Sequence, residues 1–154
     1  MSHVMSPEAV YSYVMGGNAT FTVLNTETNR RVTYKVKAAT RNGVSRDATD
    51  VLFVSVMTGS DNEADYTYIG ILVRSQNIFR TTPRTALPLG DVRILGMAWL
   101  MRQLAAGKLG DFPHVEVRHH GTCGRCGRKL TVPESIDSGI GPECARHVNI
   151  LRAA

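Results

Sequence analysis

The chain has 154 residues, 43% of them hydrophobic, and a formal net charge of +5. That is enough apolar material for one ordinary domain with a small appended module. No apolar run approaches the roughly 20 residues that span a bilayer, and residues 1–10 lack the pattern of a signal peptide. We therefore expect a soluble protein of the cytoplasm with no membrane partner. Its positive charge favours encounter with nucleic acid or with an acidic protein surface.

Two strands joined by a polar turn are predicted in residues 18–38. Apolar side chains recur at every second position, as a half-buried antiparallel pair requires: Phe21, Val23, Val32, Tyr34 and Val36. The segment predicts a β-hairpin.

Further strands are predicted downstream of a polar stretch. Residues 39–50 have little apolar periodicity and indicate a mobile surface loop. Residues 51–59 are almost continuously apolar, which is typical of a central strand, and residues 66–73 predict its neighbour. Residues 114–120 alternate again and predict a last strand.

One long helix is predicted between residues 89 and 106, because apolar residues recur there at helical spacing. Pro88 precedes this segment and Gly107 can end it. In this interpretation Trp99 and the neighbouring methionines are core residues.

Three cysteines near the C-terminus have the spacing of zinc ligands. Cys123 and Cys126 are two residues apart and are followed by Gly127, the pattern of a zinc knuckle. Cys144 follows a Gly-Pro-Glu helix start, and His147 stands three positions later on the same predicted helical face. We therefore predict one structural Zn²⁺ with four protein ligands: Cys123, Cys126, Cys144 and His147. A filled tetrahedron leaves no position for a substrate.

The fourth ligand has alternatives. His120 precedes Cys123 by three residues and His119 precedes it by four, so either could compete, although helix spacing favours His147. Three unrelated cysteines are the alternative for the site as a whole. A disulfide scaffold is disfavoured by the odd number of cysteines and by the absence of an export signal. A short helical turn capped at Thr131 and ended by Gly139 is predicted within the module.

These elements predict an α+β fold. About five mostly antiparallel strands and one long helix would form a sheet domain in residues 1–118. A small treble-clef-like zinc finger in residues 119–154 would follow without a flexible linker and pack rigidly against the sheet. Such a small module has little core, so the metal would supply its stability.

The finger segment also resembles a known family, and the resemblance is carried by the run CGRCGRKLTVPESIDSGIGPECA. The family has no established function. It occurs in small proteins encoded by bacteriophages and mobile elements, and as a tail on some larger proteins. The upstream runs NATFTV, RVTYKV and FVSVMTGSDNEADYTYIG resemble the sheet domain of its phage-encoded members. The resemblance implies a phage or prophage accessory protein acting in the cytoplasm of a host bacterium.

Basic residues concentrate on the hairpin and around the zinc module, which favours binding of nucleic acid through its phosphates. The candidate contacts are Arg30, Arg31, Lys35, Lys37, Arg118, Arg125, Arg128, Lys129 and Arg146. A solvated basic face that keeps the protein soluble explains the same charges. Tyr11 and Tyr13 could stack bases, although two tyrosines near a terminus are more often strand residues.

Two other classes of function are weighed against nucleic-acid binding. An inhibitor or adaptor, of anti-defence or anti-CRISPR type, would occupy the surface of a host or defence protein, and the acidic turn 60–65 is a candidate contact. An enzyme is not expected, because no nucleophile, base and oxyanion set can be assembled. Asp61, Glu63 and Asp65 lack the glycine and distal glutamate of a calcium loop. His119 and His120 ahead of a finger resemble the layout of histidine-metal nucleases, without companion residues at the needed spacing. No small-molecule substrate is evident, and the oligomeric state is not encoded.

Overall fold

The computed structural model describes residues 2–39, 47–59, 64–131, 133–141 and 144–145. An antiparallel sheet runs through this part of the chain, with helices on one side. The strands are β1 (His3–Val4), β2 (Asn18–Asn25), β3 (Arg30–Ala38), β4 (Val51–Met57), β5 (Tyr66–Val73), β6 (Ile78–Arg80) and β7 (Val115–His119). The helices are α1 (Pro7–Val14), α2 (Val92–Ala106) and α3 (Pro133–Ser138). The α+β class predicted from the sequence is confirmed.

The predicted hairpin is formed by β2 and β3. Their register places Phe21 opposite Tyr34 and Val23 opposite Val32. Asn29 closes the turn with a φ of 58°, a left-handed conformation that asparagine tolerates better than most residues.

The sheet has seven strands in the order β1-β7-β2-β3-β4-β5-β6, so the expectation of about five was too low. The missed strands are β1 and β6, which are two and three residues long. Such short strands have no readable alternation of apolar and polar residues. β7 lies between β1 and β2, which brings the segment before the first cysteine beside the start of the chain.

Three helices are present in the described ranges, so the single predicted helix was incomplete. α2 lies within the predicted segment; it begins where the Asp91 carboxylate accepts the N–H of Arg93, and it ends at Gly107 with a φ of 67°. α1 was missed, and Tyr11 and Tyr13 are helical, contrary to the strand assignment. No helix within the described residues is both long and apolar enough to cross a membrane.

The helices pack on one face of the sheet. Tyr34 donates a hydrogen bond from its hydroxyl to the carbonyl of Arg93 in α2, at 2.6 Å. Tyr13 of α1 meets Phe21 of β2 edge to face, with 6.2 Å between ring centroids. No helix in the described segments covers the opposite face, which we call the open face. Its strand residues include Arg31, Lys35, Lys37, Phe53, Ile71, Ile78, Arg80, Glu116 and Arg118.

One buried apolar cluster joins the sheet to the cysteine segment. It contains Val10 and Tyr13 of α1 together with Cys123, Leu130 and Ile140. The division into residues 1–118 and 119–154 stays a prediction. Residues 40–46, most of the predicted mobile loop, and residues 60–63, most of the acidic turn, lie outside the described residues.

Candidate metal centre

The first two cysteines lie in a tight turn directly after β7. A bridge between Thr122 and Lys129 closes this turn, and the Cys123 N–H donates to the Arg128 carbonyl at 2.8 Å. Gly127 turns the chain with a φ of 78°, a conformation that glycine adopts without steric cost. This local geometry follows from the Cys-x-x-Cys-Gly pattern in the sequence.

The third cysteine, Cys144, comes from the segment that follows α3. α3 ends at Gly139, whose φ is 75°, and the Gly139 carbonyl accepts the N–H of Gly124 at 2.8 Å. After this turn the Ala145 N–H donates to the Gly141 carbonyl at 2.9 Å, the i to i−4 bond of an α-helical turn. Cys144 is therefore delivered at a helical turn against the first two cysteines.

Together the three thiols form a group that can hold a metal ion. The Sγ atoms of Cys123, Cys126 and Cys144 lie within 4.8 Å of one another. A tetrahedral zinc with Zn–S bonds of about 2.3 Å needs sulfurs about 3.8 Å apart, so small side-chain rotations bring them into place. Among the residues that the structure describes, no histidine or carboxylate joins this group. His147 and Arg146 lie outside those residues.

Backbone N–H groups point at the sulfur of Cys123. Arg125, Cys126 and Gly141 donate to it at 3.4, 3.5 and 3.3 Å. Burial by itself raises the pKa of this thiol, but these three hydrogen bonds, together with one from the Cys126 side chain, outweigh burial and hold the pKa below its ordinary value. Thiolate is the form that binds metal, so this backbone arrangement prepares Cys123 as a ligand.

The side chain of Arg125 connects the thiols to a distant segment. Its Nη1 donates to the Cys144 sulfur at 3.1 Å, and its other nitrogens pair with both carboxylate oxygens of Asp47. Burial raises the pKa of the Cys144 thiol to about 11, and the hydrogen bond from Arg125 opposes this rise. Asp47 precedes Arg125 by 78 positions, in a stretch interpreted as a loop, and no local signal in the sequence pairs them.

Neither alternative histidine reaches the thiols. His119 is fully buried on the helix-covered face, where its Nδ1 accepts the Gly121 N–H at 3.0 Å and its Nε2 bonds the Ile136 carbonyl. Both ring nitrogens are therefore occupied. The His120 Nε2 lies 3.1 Å from the Thr22 hydroxyl, toward the open face. The fourth ligand is thus not found at either position.

The end of α1 and the start of β2 pack against the turn that holds Cys123 and Cys126. The Asn18 N–H donates to the Gly124 carbonyl at 2.8 Å, and a Cβ added at Gly124 would overlap the Tyr13 ring and fall 2.9 Å from the Tyr13 carbonyl oxygen. The Tyr13 hydroxyl in turn donates to the Thr20 carbonyl at 2.7 Å. Tyr13 is fully buried, so it has no face for stacking a base. Sequence reasoning missed this supporting role because it depends on a helix that was not predicted.

The predicted basic residues separate into groups. Arg31, Lys35, Lys37 and Arg118 come together on the open face, whereas Arg30 lies at the hairpin turn on the other face. Arg128 and Lys129 are exposed in the knuckle, and Arg125 faces the thiols.

A cleft of about 140 Å³ opens at one end of the open face. Arg31 and Arg118 stand at its sides, with the Thr22 hydroxyl and His120 between them. Arg118 also pairs with Glu116 at 2.7 Å. The cleft is small, and it combines two guanidinium groups with a hydroxyl, which is a donor set suited to an anion.

Residues 113–149 match the profile of a family of unknown function (DUF6011). The matched range begins just before β7 and contains all three cysteines. No curated protein and no solved structure matches the chain.

Proposed function

We propose that this protein is a non-enzymatic accessory protein that binds nucleic acid through the open face of its sheet, with a zinc-stabilised module at one end. The observation that carries the proposal is the charge of the open face. Its strands contribute five basic residues and one acidic residue: Arg31, Lys35, Lys37, Arg80, Arg118 and Glu116. A face with this excess of positive charge attracts a polyanion.

The arrangement of these charges favours phosphate contacts over simple solvation. Lys37 and Arg31 are exposed at separate positions along β3, and Arg118 lies two strands away on β7. Between Arg31 and Arg118 the cleft offers space for a phosphate group beside the Thr22 hydroxyl. Arginine pairs and hydroxyl groups are common phosphate contacts in nucleic-acid complexes.

Part of the same proposal is that Cys123, Cys126, Cys144 and His147 hold one structural Zn²⁺ in a treble-clef-like module. The clustered thiols and the backbone N–H groups aimed at Cys123 support a metal with thiolate ligands. Zinc would link the turn after β7 to the helical turn at Cys144. Metal analysis should return one zinc per chain, and Cys144→Ser should lose it; a folded protein without metal would refute the site.

Nucleic-acid binding is tested by fluorescence anisotropy over a series of salt concentrations. The logarithm of the association constant should fall linearly with the logarithm of salt, with a slope of about −0.7 to −0.9 per phosphate contact. Arg31→Glu should weaken binding and flatten this slope. Arg102→Glu changes the same charge on an exposed position of α2, behind the sheet, and is the matched control. Absence of binding at low salt, or equal losses in both variants, would sink the proposal.

A second candidate, occupation of a protein partner's surface, is favoured by a different part of the molecule. Leu89, Val92 and Leu95 are 64%, 65% and 53% exposed at the start of α2. Contiguous exposed apolar side chains often mark a protein-binding surface. The phage resemblance of the finger segment suits an anti-defence adaptor as well as a nucleic-acid binder. Retention of one host protein from a nuclease-treated bacterial lysate, lost in Leu95→Glu and kept in Arg31→Glu, would support this candidate in place of the first.

A further inference from the structure

We infer that the open face binds single-stranded nucleic acid, with one base stacked on the ring of Phe53. This inference rests on the proposed nucleic-acid-binding function and names its substrate class. It depends on an exposed aromatic ring that occupies a defined position among the basic residues of the sheet.

Phe53 is the feature that charge alone does not explain. It lies on β4, away from the apolar core, and is 41% exposed, while its neighbours Leu52 and Val54 are fully buried. A large aromatic ring on the solvent side of a sheet contributes little to the core. The rings of Phe53 and Tyr68 pack in a T-shaped arrangement with 6.2 Å between their centroids, and the hydroxyl groups of Tyr68 and Thr82 are hydrogen-bonded at 3.0 Å. Phe53 therefore packs against Tyr68 while part of its ring stays exposed.

Cations lie on both sides of this ring. Lys37 is directly opposite Phe53 on β3, and Arg80 follows on β6 beyond Ile71 of β5. Neighbouring strands are about 4.8 Å apart, so the Lys37 ammonium can reach a phosphate beside a base that covers Phe53. Two residues before Lys37 on β3, the Lys35 ammonium lies over the Tyr66 ring, 4.1 Å from its centroid. Base and phosphate can therefore be contacted together.

A single strand fits this surface better than a duplex. The bases of a duplex are stacked on each other, so their ring faces are not available to an aromatic side chain on a sheet. An unpaired base exposes its ring to an aromatic side chain, and such stacking tolerates any base sequence. Arg31, which lines the cleft, is six residues from Lys37 along β3, and Lys37 is opposite Phe53, so the cleft lies about 20 Å from Phe53 along the sheet. A single strand of nucleic acid that runs along the open face can contact both Phe53 and the cleft.

The test compares labelled oligonucleotides of about 12 residues, single-stranded deoxythymidine and uridine runs against a duplex, by fluorescence anisotropy. The wild type should bind at least one single strand more tightly than the duplex. Phe53→Leu keeps an apolar side chain but removes the aromatic face, and it should weaken single-strand binding at least about fivefold with no change in salt dependence. Phe53→Tyr, the matched control, should bind like the wild type.

The outcomes separate this inference from the proposed function. Suppose that binding depends on salt and is weakened by Arg31→Glu. If Phe53→Leu then leaves binding unchanged, or if the protein prefers the duplex, the stacking inference alone is overturned. No binding of any oligonucleotide would overturn both. Thermal unfolding of each variant, followed by the fluorescence of the one tryptophan, Trp99, verifies that the exposed substitution leaves the fold intact.

Discussion

Gly16, in the turn after α1, lies so close to the knuckle that an added methyl group has no room. A Cβ at this position would fall 2.6 Å from the Gly124 carbonyl oxygen and 2.8 Å from its carbon. Both atoms belong to the backbone, so no side-chain rotation relieves the contact. The φ of Gly16 is outside the left-handed region, so alanine suits the local conformation and Gly16→Ala tests the contact alone.

The expected loss of stability follows from three contributions. Overpacking of a close contact costs about 1–3 kcal/mol. Displacement of Gly124 also weakens the hydrogen bond from the Asn18 N–H to its carbonyl, which is worth about 1 kcal/mol. Alanine recovers about 0.4–1 kcal/mol by restricting the unfolded chain. The net decrease in the free energy of unfolding is about 1–3.6 kcal/mol, which lowers the Tm by about 2–14 °C for a domain of this size.

Urea unfolding followed by Trp99 fluorescence measures this difference. Gly90→Ala is the matched control, because no atom lies within 4 Å of the added Cβ and the φ of Gly90 is also ordinary. It should be neutral or slightly stabilising. If Gly16→Ala and Gly90→Ala unfold at the same urea concentration, the knuckle does not rest on α1 as closely as described, and the reasoning fails.

Three further predictions concern groups around the thiols. Burial lowers the pKa of His119, so protons bind the unfolded chain more readily; the free energy of unfolding should fall as pH drops below about 6.5 and level off below the folded pKa. The fall should be smaller in His119→Gln, and identical pH profiles would contradict this. Arg125→Met removes the bonds to Cys144 and Asp47 and should weaken zinc affinity about 10- to 100-fold in chelator competition; unchanged affinity would refute a supporting role. Tyr13→Phe removes the hydrogen bond to the Thr20 carbonyl and should lower the free energy of unfolding in urea by about 1–3 kcal/mol. An unchanged free energy of unfolding would contradict this role of the hydroxyl.

Local patterns account for the features that the sequence predicted. The β2–β3 hairpin needs only alternating apolar and polar residues in two adjacent segments and a turn between them. Consecutive residues of the sequence show both features. The turn at Cys123 depends on two cysteines and Gly127, all within five positions. Such features are fixed by neighbours in the chain, so they are readable without knowledge of the fold.

Contacts between distant segments were not predictable in this way. Arg125 carries no sign of its pairing with Asp47, because each could equally face solvent. α1 is a single short helix whose tyrosines fit a strand as well, and only the sheet and knuckle around Tyr13 select the helix. The open face shows the same limit: Lys37 and Phe53 are opposite each other only because β3 pairs with β4 in one register.

The packing around His119 bears on whether the metal-binding segment is an appendage or part of the main fold. His119 belongs to β7, yet its ring bonds the Ile136 carbonyl in α3, and β1 depends on β7 for its pairing. Removal of the proposed zinc should therefore loosen β7, β1 and α1 as well as the segment that holds the cysteines, while β4 and β5 stay protected. Hydrogen exchange of backbone amides with and without a chelator measures this. Loss of protection confined to residues 119–154 would instead mean that the module unfolds separately from the sheet, as a distinct unit beyond residue 118.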